Sequence, residues 1–220
     1  MTHELKTGGD RGYLRIATEE AFATAEQLDA IMRLVKEGRA DKGTVSLWGF
    51  YGTSPSERTT FIRERLLDLG PLRIAAMDEA GIDKAVLALT SPGTQSLHEA
   101  DEARRIARNA NDQLKTACER YPDRLHGMVA IAPLDPEWSA QELKRGKEEL
   151  GFHGVQVNSH THGHYLDEPQ FDPILRACAD LDLPLYIHPQ GLPDEMIGGM
   201  AEAGLDGAVY GFAVDRKSVV

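Results

Sequence analysis

The chain of 220 residues is poor in cysteine, in aromatic side chains and in basic charge. It has two cysteines, both within predicted helices, which favours free thiols and a cytoplasmic location. A formal net charge of -11, without a long basic run, argues against nucleic acid or an anionic membrane as a partner. No apolar run approaches the roughly 20 residues that span a bilayer, and the polar N-terminal stretch lacks the apolar segment of a signal peptide.

A glycine-rich phosphate loop is also missing after the first apolar segment, which weakens a nucleotide-binding interpretation. What the sequence does contain is a regular alternation of short apolar segments with amphipathic ones. The apolar segments predict strands at residues 14–18, 82–89, 125–132, 154–158 and 183–187. The amphipathic segments predict helices at residues 22–36, 55–69, 72–80, 101–121, 136–150 and 171–181, with Ser54 as the N-cap of the second. Residues 38–54 are expected to form a loop, and residues 196–214 to be helical in part.

Strands that are apolar on both faces and alternate with helices predict an α/β fold with a parallel sheet covered by helices. Right-handed crossovers close eight such units into a TIM-like (β/α)8 barrel of about 250 residues. Five units are predicted here, so the chain is either an open sheet or a barrel truncated after about five βα units. Residues 1–13 are expected to form a flexible arm, residues 14–214 one domain, and residues 215–220 a tail.

The candidate chemistry lies where the first and last predicted strands end. Glu19 follows the first strand and His188 follows the last. Because ligands are held at the carboxyl ends of parallel strands, the two side chains would meet at one mouth of a barrel. A carboxylate and an imidazole make half of a divalent metal site, and this mixture suits Mn, Fe or Zn. Spacing alone is weak support, since a lone histidine before Pro189 is more often simply hydrogen-bonded at its strand end.

Four further features have both a chemical and a structural interpretation. The histidines of HTHGH at residues 160–164 could bind a metal, although such a turn is more often a solvated loop. Arg58 could hold an anion or form a surface ion pair. Thr90 could donate a hydrogen bond to a ligand or tie its own loop. The aromatic segment LWGFY at residues 47–51 could be a hydrophobic plug or a pocket wall.

The segment IATEEAF at residues 16–22 resembles the opening metal motif of the aromatic-acid decarboxylases of the amidohydrolase superfamily. Other segments closely resemble the 5-carboxyvanillate decarboxylases within that group. They are VSLWGFY at 45–51, SPSER at 54–58, LALTSPG at 87–93, DPEWSA at 135–140, QVNSHT at 156–161, LYIHP at 185–189 and AGLDG at 203–207. The resemblance extends over about residues 14–214, and the combined motifs are specific to this subgroup rather than to the superfamily.

The resemblance implies a TIM-like barrel and the non-oxidative decarboxylation of a lignin-derived phenolic acid, 5-carboxyvanillate, to vanillate and CO2. Glu19 and His188 match metal ligands for a divalent ion, with Mn2+ expected, Zn2+ or Mg2+ as alternatives, and no organic cofactor. His188 and Arg58 match catalytic positions. The positions that match a substrate pocket for a small aromatic carboxylic acid are Tyr51, Arg58, Thr90 and Phe212. A homo-oligomer, dimer or tetramer, is implied for the full-length protein.

The sequence departs from the family pattern in two ways. Ala21 stands where several members have a histidine, two residues after the first glutamate. The family pattern also includes three further strands, which carry a histidine on a His-Met-Gly type motif and an aspartate that is both metal ligand and proton donor. Those strands are absent here, and residues 215–220 do not continue the pattern. Because an unclosed sheet exposes an apolar edge, we expect the isolated chain to fold poorly, aggregate or oligomerise, without turnover.

Two other functions stay open at the level of the sequence. One is a metal-dependent hydrolase of the same superfamily, such as a lactonase. Such hydrolases usually show two histidines after the first strand, and Ala21 argues against this reading. The other is a catalytically inert fragment or partner-binding module that uses the open sheet edge, because the third metal ligand is missing.

Overall fold

A computed structural model of the chain describes residues 12–194, 196, 197 and 202. Residues 1–11 of the predicted arm, Phe212 and the predicted tail lie outside the described residues, as does most of the segment 196–214. The strands are β1 Ile16–Phe22, β2 Lys84–Leu89, β3 Leu125–Val129, β4 Gly154–Asn158, β5 His160–Thr161, β6 His164–Tyr165 and β7 Leu185–His188. The helices are α1 Ala25–Lys36, α2 Lys42–Tyr51, α3 Glu57–Leu67, α4 Pro71–Ala80, α5 Ala100–Arg120, α6 Pro136–Glu148 and α7 Asp172–Asp180, the last preceded by a 3-10 turn, Pro169–Phe171.

Five parallel strands form one sheet in the order β1-β2-β3-β4-β7, and each connection between them contains at least one helix. The strand order follows the chain without a reversal, as in a barrel and unlike a doubly wound sheet. β5 and β6 form a separate antiparallel hairpin after β4. The predicted α/β class with a partial TIM-like barrel is therefore confirmed.

The main apolar core lies between the sheet and its helices. Leu87 of β2, Val129 of β3 and Val155 of β4 are fully buried in it. α5 contributes buried residues at helical spacing, which confirms the most strongly periodic helix of the prediction. Ala107, Ala110, Leu114 and Ala117 lie in this core, and Ala103 and Ile106 lie in a smaller apolar cluster beside it. No helix among the described residues is both long and apolar enough to cross a membrane.

β1 is longer than predicted and includes the two acidic residues that were expected to follow it. The strand continues to Phe22 because residues 20–22 pair with residues 87–89 of β2. The register shifts between Ala17 and Glu20, so a bulge lies at residues 18–19. The acidic side chains are tolerated inside this strand because β1 is at the sheet edge and Glu19 is half exposed.

The predicted loop at residues 38–54 is wrong, because most of it is helix α2. Asp41 caps this helix by accepting a hydrogen bond from the backbone N of Thr44 at 2.8 Å. Trp48 buries its ring and donates from Nε1 to the carbonyl of Ser91 at 3.0 Å, a long-range contact that the local pattern does not contain. The next helix also starts later than predicted, with Ser56 rather than Ser54 as its N-cap.

Gly127 occupies a strand interior, where glycine is normally unfavourable. A Cβ atom at this position would lie 2.6 Å from the Phe152 ring and 2.9 Å from Leu114. Glycine is therefore required because a helix and a loop pack directly against the backbone of β3. The same contact explains why a strand forms here despite the low β-propensity of glycine.

A fully buried carboxylate, Glu142 of α6, links α5 to α6. It accepts hydrogen bonds from Arg145 at 2.7 Å, from Arg108 at 2.6 Å and from Asn111 Nδ2 at 2.9 Å. Asn111 in turn binds the backbone of Ala130 through both ends of its amide. Because each buried polar group has a partner, this network can be accommodated beside the apolar core.

We predict that Glu142→Ala lowers the free energy of unfolding by about 3 kcal/mol, because it removes the buried carboxylate that Arg145, Arg108 and Asn111 share. The matched control is Arg176→Ala, which removes an exposed pair with Asp172 and should cost at most about 0.5 kcal/mol. Urea unfolding followed by circular dichroism measures both. Equal effects of the two substitutions would contradict the importance of the buried network.

Both cysteines are free thiols, and burial raises the pKa of Cys118 and of Cys178 to about 11. At pH 8 a thiol with that pKa is only about 0.1% thiolate, whereas an ordinary thiol with a pKa of about 8.5 is about a quarter thiolate. We therefore predict that both react with iodoacetamide at least about 100-fold more slowly in the folded protein than in guanidinium. Rapid labelling of the folded protein at pH 8, read by mass spectrometry, would disprove this.

Candidate functional site

Glu19 and His188 face each other at one end of the sheet. Glu19 Oε1 lies 3.3 Å from His188 Nε2, although the two residues belong to strands at opposite edges of the sheet. The sheet must curl for this contact to form. The side chain of His188 is 27% exposed and that of Glu19 51% exposed, so the pair is open to a ligand.

The local structure of β7 and β4 positions His188. His188 is the last residue of β7 and pairs in register with Asn158, the last residue of β4. The backbone N of Ser159 donates to the carbonyl of His188 at 3.0 Å, which continues the pairing past the end of β4. His188 therefore occupies the strand-end position predicted for it, whereas Glu19 lies at the β1 bulge rather than after the strand.

Tyr186 is a second contact of Glu19 from β7. Its phenol donates a hydrogen bond to the Glu19 carboxylate, and burial together with this bond raises the pKa of Tyr186 to about 12. Tyr186 and His188 are two residues apart on one strand, so they share the face of the sheet opposite the helix-covered core. The Glu19 carboxylate is thus oriented by two groups from the same strand.

The neighbouring acid, Glu20, belongs to a different environment. It lies 3.5 Å from the buried guanidinium of Arg73, which also donates to the carbonyl of Ala21 at 2.9 Å. Burial lowers the pKa of Arg73, and the charges of Glu20 and Asp68 act in the opposite direction. Arg73 therefore ties the backbone of β1 next to the bulge, and Glu20 is not part of the contact with His188.

The spacing of Glu19 Oε1 and His188 Nε2 fits two ligands of one divalent metal ion. Two ligands about 2.0–2.2 Å from one ion, at angles between a right angle and a tetrahedral angle, are about 3–3.5 Å apart. The observed separation of 3.3 Å falls in that range. Among the described residues no third His, Cys, Asp or Glu joins the pair.

The histidines of the 160–164 segment do not converge on one point. His160 is buried, and its Nε2 bonds the carbonyl of Gly191 at 2.7 Å. His162 stacks on His98, and His164 pairs with Glu168 at 2.8 Å. Each imidazole thus has its own partner. The expected solvated loop is only partly correct, because His160 and Thr161 are buried in the β5–β6 hairpin.

Helix α2 lies beside the same end of the sheet. Trp48 binds Ser91 in the loop after β2, and Gly43 packs so closely on Gly191 that a Cβ on Gly43 would lie 2.8 Å from the Gly191 Cα. The helix thus connects the loop after β2 with the loop after β7. Trp48 acts as a plug, whereas Phe50 is 56% exposed and contacts the partly exposed Tyr51.

The structure does not join the predicted substrate residues to the Glu19–His188 pair by direct contacts. Arg58 is exposed in the first turn of α3 and has no hydrogen bond or ion pair within the described part of the chain. Tyr51 ends α2, and its carbonyl accepts from Arg63 at 2.6 Å. Thr90 follows β2, and its backbone carbonyl accepts from Gln27 at 2.9 Å.

Two residues near the pair were not singled out from the sequence. Tyr186 could have been found from the alternation of side chains along β7, because it lies two residues before His188. Asn158 could have been found from the strand-end rule that was applied to His188. Neither could be linked to a partner without the register of β4 with β7 and the curl of the sheet.

Comparison with known proteins agrees with this geometry. A family profile described as amidohydrolase matches residues 61–213. The gamma-resorcylate decarboxylase of Polaromonas sp. (strain JS666) is 34% identical over 188 residues, which are 82% of this chain and 52% of that protein. The enzyme of the same name from Rhodococcus jostii is 37% identical over 59% of this chain and 42% of its own length. The chain thus spans about half the length of these curated relatives.

Solved structures show the same fold. A 5-carboxyvanillate decarboxylase from Novosphingobium aromaticivorans, complexed with manganese and 4-hydroxy-3-methoxy-5-nitrobenzoic acid, is 65% identical with a TM-score of 0.91. The match covers 98% of this chain and 61% of that one. The 5-carboxyvanillate decarboxylase of Sphingomonas paucimobilis is 32% identical with a TM-score of 0.82, over 93% of this chain and 60% of that one.

These matches confirm the resemblance that the sequence motifs predicted. They also agree with the structure, because the described part of the chain has the strand order and curl of a partial barrel. The family profile covers more than half of the chain, and it includes β2, β3, β4 and β7. The chain belongs to the amidohydrolase family.

Proposed function

We propose that this chain carries part of the active site of a metal-dependent, non-oxidative decarboxylase that converts 5-carboxyvanillate, a lignin-derived phenolic acid, to vanillate and CO2. The observation that carries the proposal is the 3.3 Å approach of Glu19 Oε1 to His188 Nε2 at the mouth of the partial barrel. The substrate class is supported by the 65% identity to a protein named 5-carboxyvanillate decarboxylase.

In this proposal Glu19 and His188 hold a divalent ion. Mn2+ is the expected ion because carboxylate ligands suit it and because the solved relative is complexed with manganese. Zn2+ and Mg2+ are the alternatives, and no organic cofactor is needed. When bound, the ion supplies Lewis-acid stabilisation of negative charge on the phenolate and carboxylate oxygens.

The reaction breaks one bond, between a ring carbon and its carboxylate carbon, and adds one proton to the ring carbon. Apart from Glu19, no carboxylic acid among the described residues contacts the His188 imidazole. We therefore assign the delivery of the proton to the ring carbon to no described residue. Glu19 and His188 would hold the ion, which would supply the positive charge that attracts the charged end of the substrate. Tyr186 holds the Glu19 carboxylate in place by its hydrogen bond.

The family resemblance implies the substrate contacts, and three of the residues proposed for them lie in the described part of the chain. Arg58 is charged, exposed and without an ion-pair partner in the described part, so its guanidinium is available for a carboxylate. The ring of Tyr51 at the end of α2 offers an apolar surface for an aromatic substrate, and Thr90 offers a hydroxyl at the end of β2. Phe212, the fourth proposed residue, lies outside the described residues.

The cytoplasmic location and the homo-oligomer stay predictions. The two free thiols agree with a reducing compartment. Exposed apolar side chains of the described surface, among them Val45 and Phe50 on α2 and Phe61 on α3, are proposed as contacts with a second copy. Analytical ultracentrifugation of the natural gene product measures the oligomeric state.

The decisive experiment uses the natural gene product that contains this chain, with Mn2+ and 5-carboxyvanillate. We expect vanillate and CO2 in equal amounts, and loss of turnover in Glu19→Gln together with an at least about 100-fold weaker Mn2+ affinity, because a metal ligand is removed. The matched control is Glu20→Gln, which alters the adjacent acid that pairs with Arg73 and should keep the Mn2+ affinity. Turnover without a divalent ion, or equal effects of the two substitutions, would refute the proposed metal site.

A separate prediction concerns Arg58. Arg58→Met should raise KM for 5-carboxyvanillate about 10–100-fold, since a charge-assisted hydrogen bond contributes about 1.5–3 kcal/mol. Arg58→Lys should recover part of this loss, because the charge returns without the planar fork. The control is Arg176→Met on α7, whose exposed pair with Asp172 is remote from the proposed site. Steady-state kinetics that give the wild-type KM for Arg58→Met would place Arg58 on the solvated surface.

A further inference from the structure

Two buried polar atoms at the site have no hydrogen-bond partner among the described residues. They are Nδ1 of His188 and Oδ1 of Asn158. Buried polar atoms in folded proteins nearly always have a partner, so each unpartnered atom requires an explanation. Here the two atoms belong to residues that are directly paired, because Asn158 of β4 is the register partner of His188 of β7.

The side chains of Asn158 and His188 lie on the inner face of the sheet, which is the face away from the helices. On the outer face, Val155 and Val157 of β4, with Leu185 and Ile187 of β7, pack into the apolar core. Because side chains alternate along a strand, Asn158 and His188 point to the opposite face, away from the helices. Asn158 is therefore the neighbour of His188 across the strand pair on the side where the metal is proposed to bind.

The orientation of the Asn158 amide is determined by Gln95. Gln95 Oε1 accepts from the backbone N of Asn158 at 2.6 Å and from its Nδ2 at 3.3 Å. Gln95 Nε2 is used by other acceptors, including the carbonyl of His160 at 2.9 Å. Since the side-chain nitrogen of Asn158 is engaged by Gln95, its Oδ1 is the end that remains, and a carbonyl oxygen can only accept.

His188 supplies the matching donor if the proposed function is correct, and the inference rests on it. An imidazole that binds a metal through Nε2 carries its proton on Nδ1 and normally donates it to an oxygen. We propose that Asn158 is a positioning residue whose Oδ1 accepts the Nδ1–H of His188 and thereby selects the tautomer that leaves Nε2 free for the metal. The two atoms are not hydrogen-bonded in this structure, and the bond is proposed for the ion-bound protein, with Nε2 kept on the side of Glu19.

The test compares Asn158→Leu, which removes the acceptor at similar volume, with Asn158→Asp, which keeps it. Mn2+ dissociation constants are measured by titration calorimetry on the natural gene product. We expect a 10–100-fold weaker Mn2+ affinity for Asn158→Leu, the range typical when a residue that hydrogen-bonds a metal ligand is replaced. For Asn158→Asp we expect an equal or tighter Mn2+ affinity. Asn158→Ser, too short to reach the ring, replaces the leucine variant if that variant does not fold.

The matched control is Val157→Ala, which opens a cavity on the other face of the same strand and should lower the melting temperature without changing the Mn2+ affinity. A second readout is the 15N spectrum of His188 in the Zn2+-loaded protein, where the wild type should show a protonated Nδ1 exchanging slowly and Asn158→Leu should show fast exchange. A wild type that binds neither ion refutes the proposed function and this inference with it. A wild type that binds Mn2+, with unchanged affinity in both Asn158→Leu and Asn158→Ser, refutes this inference alone.

Discussion

The curl of a parallel sheet whose strands follow chain order is the constraint on which the site depends. Because all five strands are parallel, their carboxyl ends lie at one end of the sheet. β1 and β7 are the outermost strands, yet Glu19 and His188 approach to 3.3 Å, which a flat sheet would prevent. Helix α2 lies at the same end of the sheet and connects the loops after β2 and β7 through Trp48 and Gly43. The loops after β2 and β7, helix α2 and the Glu19–His188 pair thus lie together at the mouth of the partial barrel.

The two faces of the sheet differ in polarity and in role. The outer face is apolar and buries Val129, Val155 and Leu87 against the helices, which supplies the hydrophobic stabilisation. The inner face of β4 and β7 is polar, and most of its groups are held by backbone or amide contacts, such as Gln156 to the carbonyl of Leu89 at 3.1 Å. Because the core does not depend on the inner face, side chains there are free to bind an ion and a substrate.

Much of the fold could be predicted because its signals are local. The period of apolar residues predicted α5, and the segment GVQVN predicted β4 with its observed bounds. The helix predicted at residues 72–80 ends as expected, at Gly81 in the left-handed conformation. The prediction failed at α2, where Trp48 is fixed by the distant Ser91, and at β1, where pairing with β2 extends the strand past Glu20. In both places a long-range contact overrides a weak local pattern.

The sequence by itself determined the class of fold, the identity of Glu19 and His188 as candidate ligands, and the family, because motifs and periodicity reside in neighbouring residues. Only the tertiary structure decided that these two side chains meet, that Glu20 pairs with Arg73 instead, and that Tyr186 contacts Glu19. The partnership of Asn158 with His188 likewise required the register of β4 and β7. The physical reason is that register, bulge and curl depend on hydrogen bonds between strands far apart in the chain, and the residues of one strand do not name its partner.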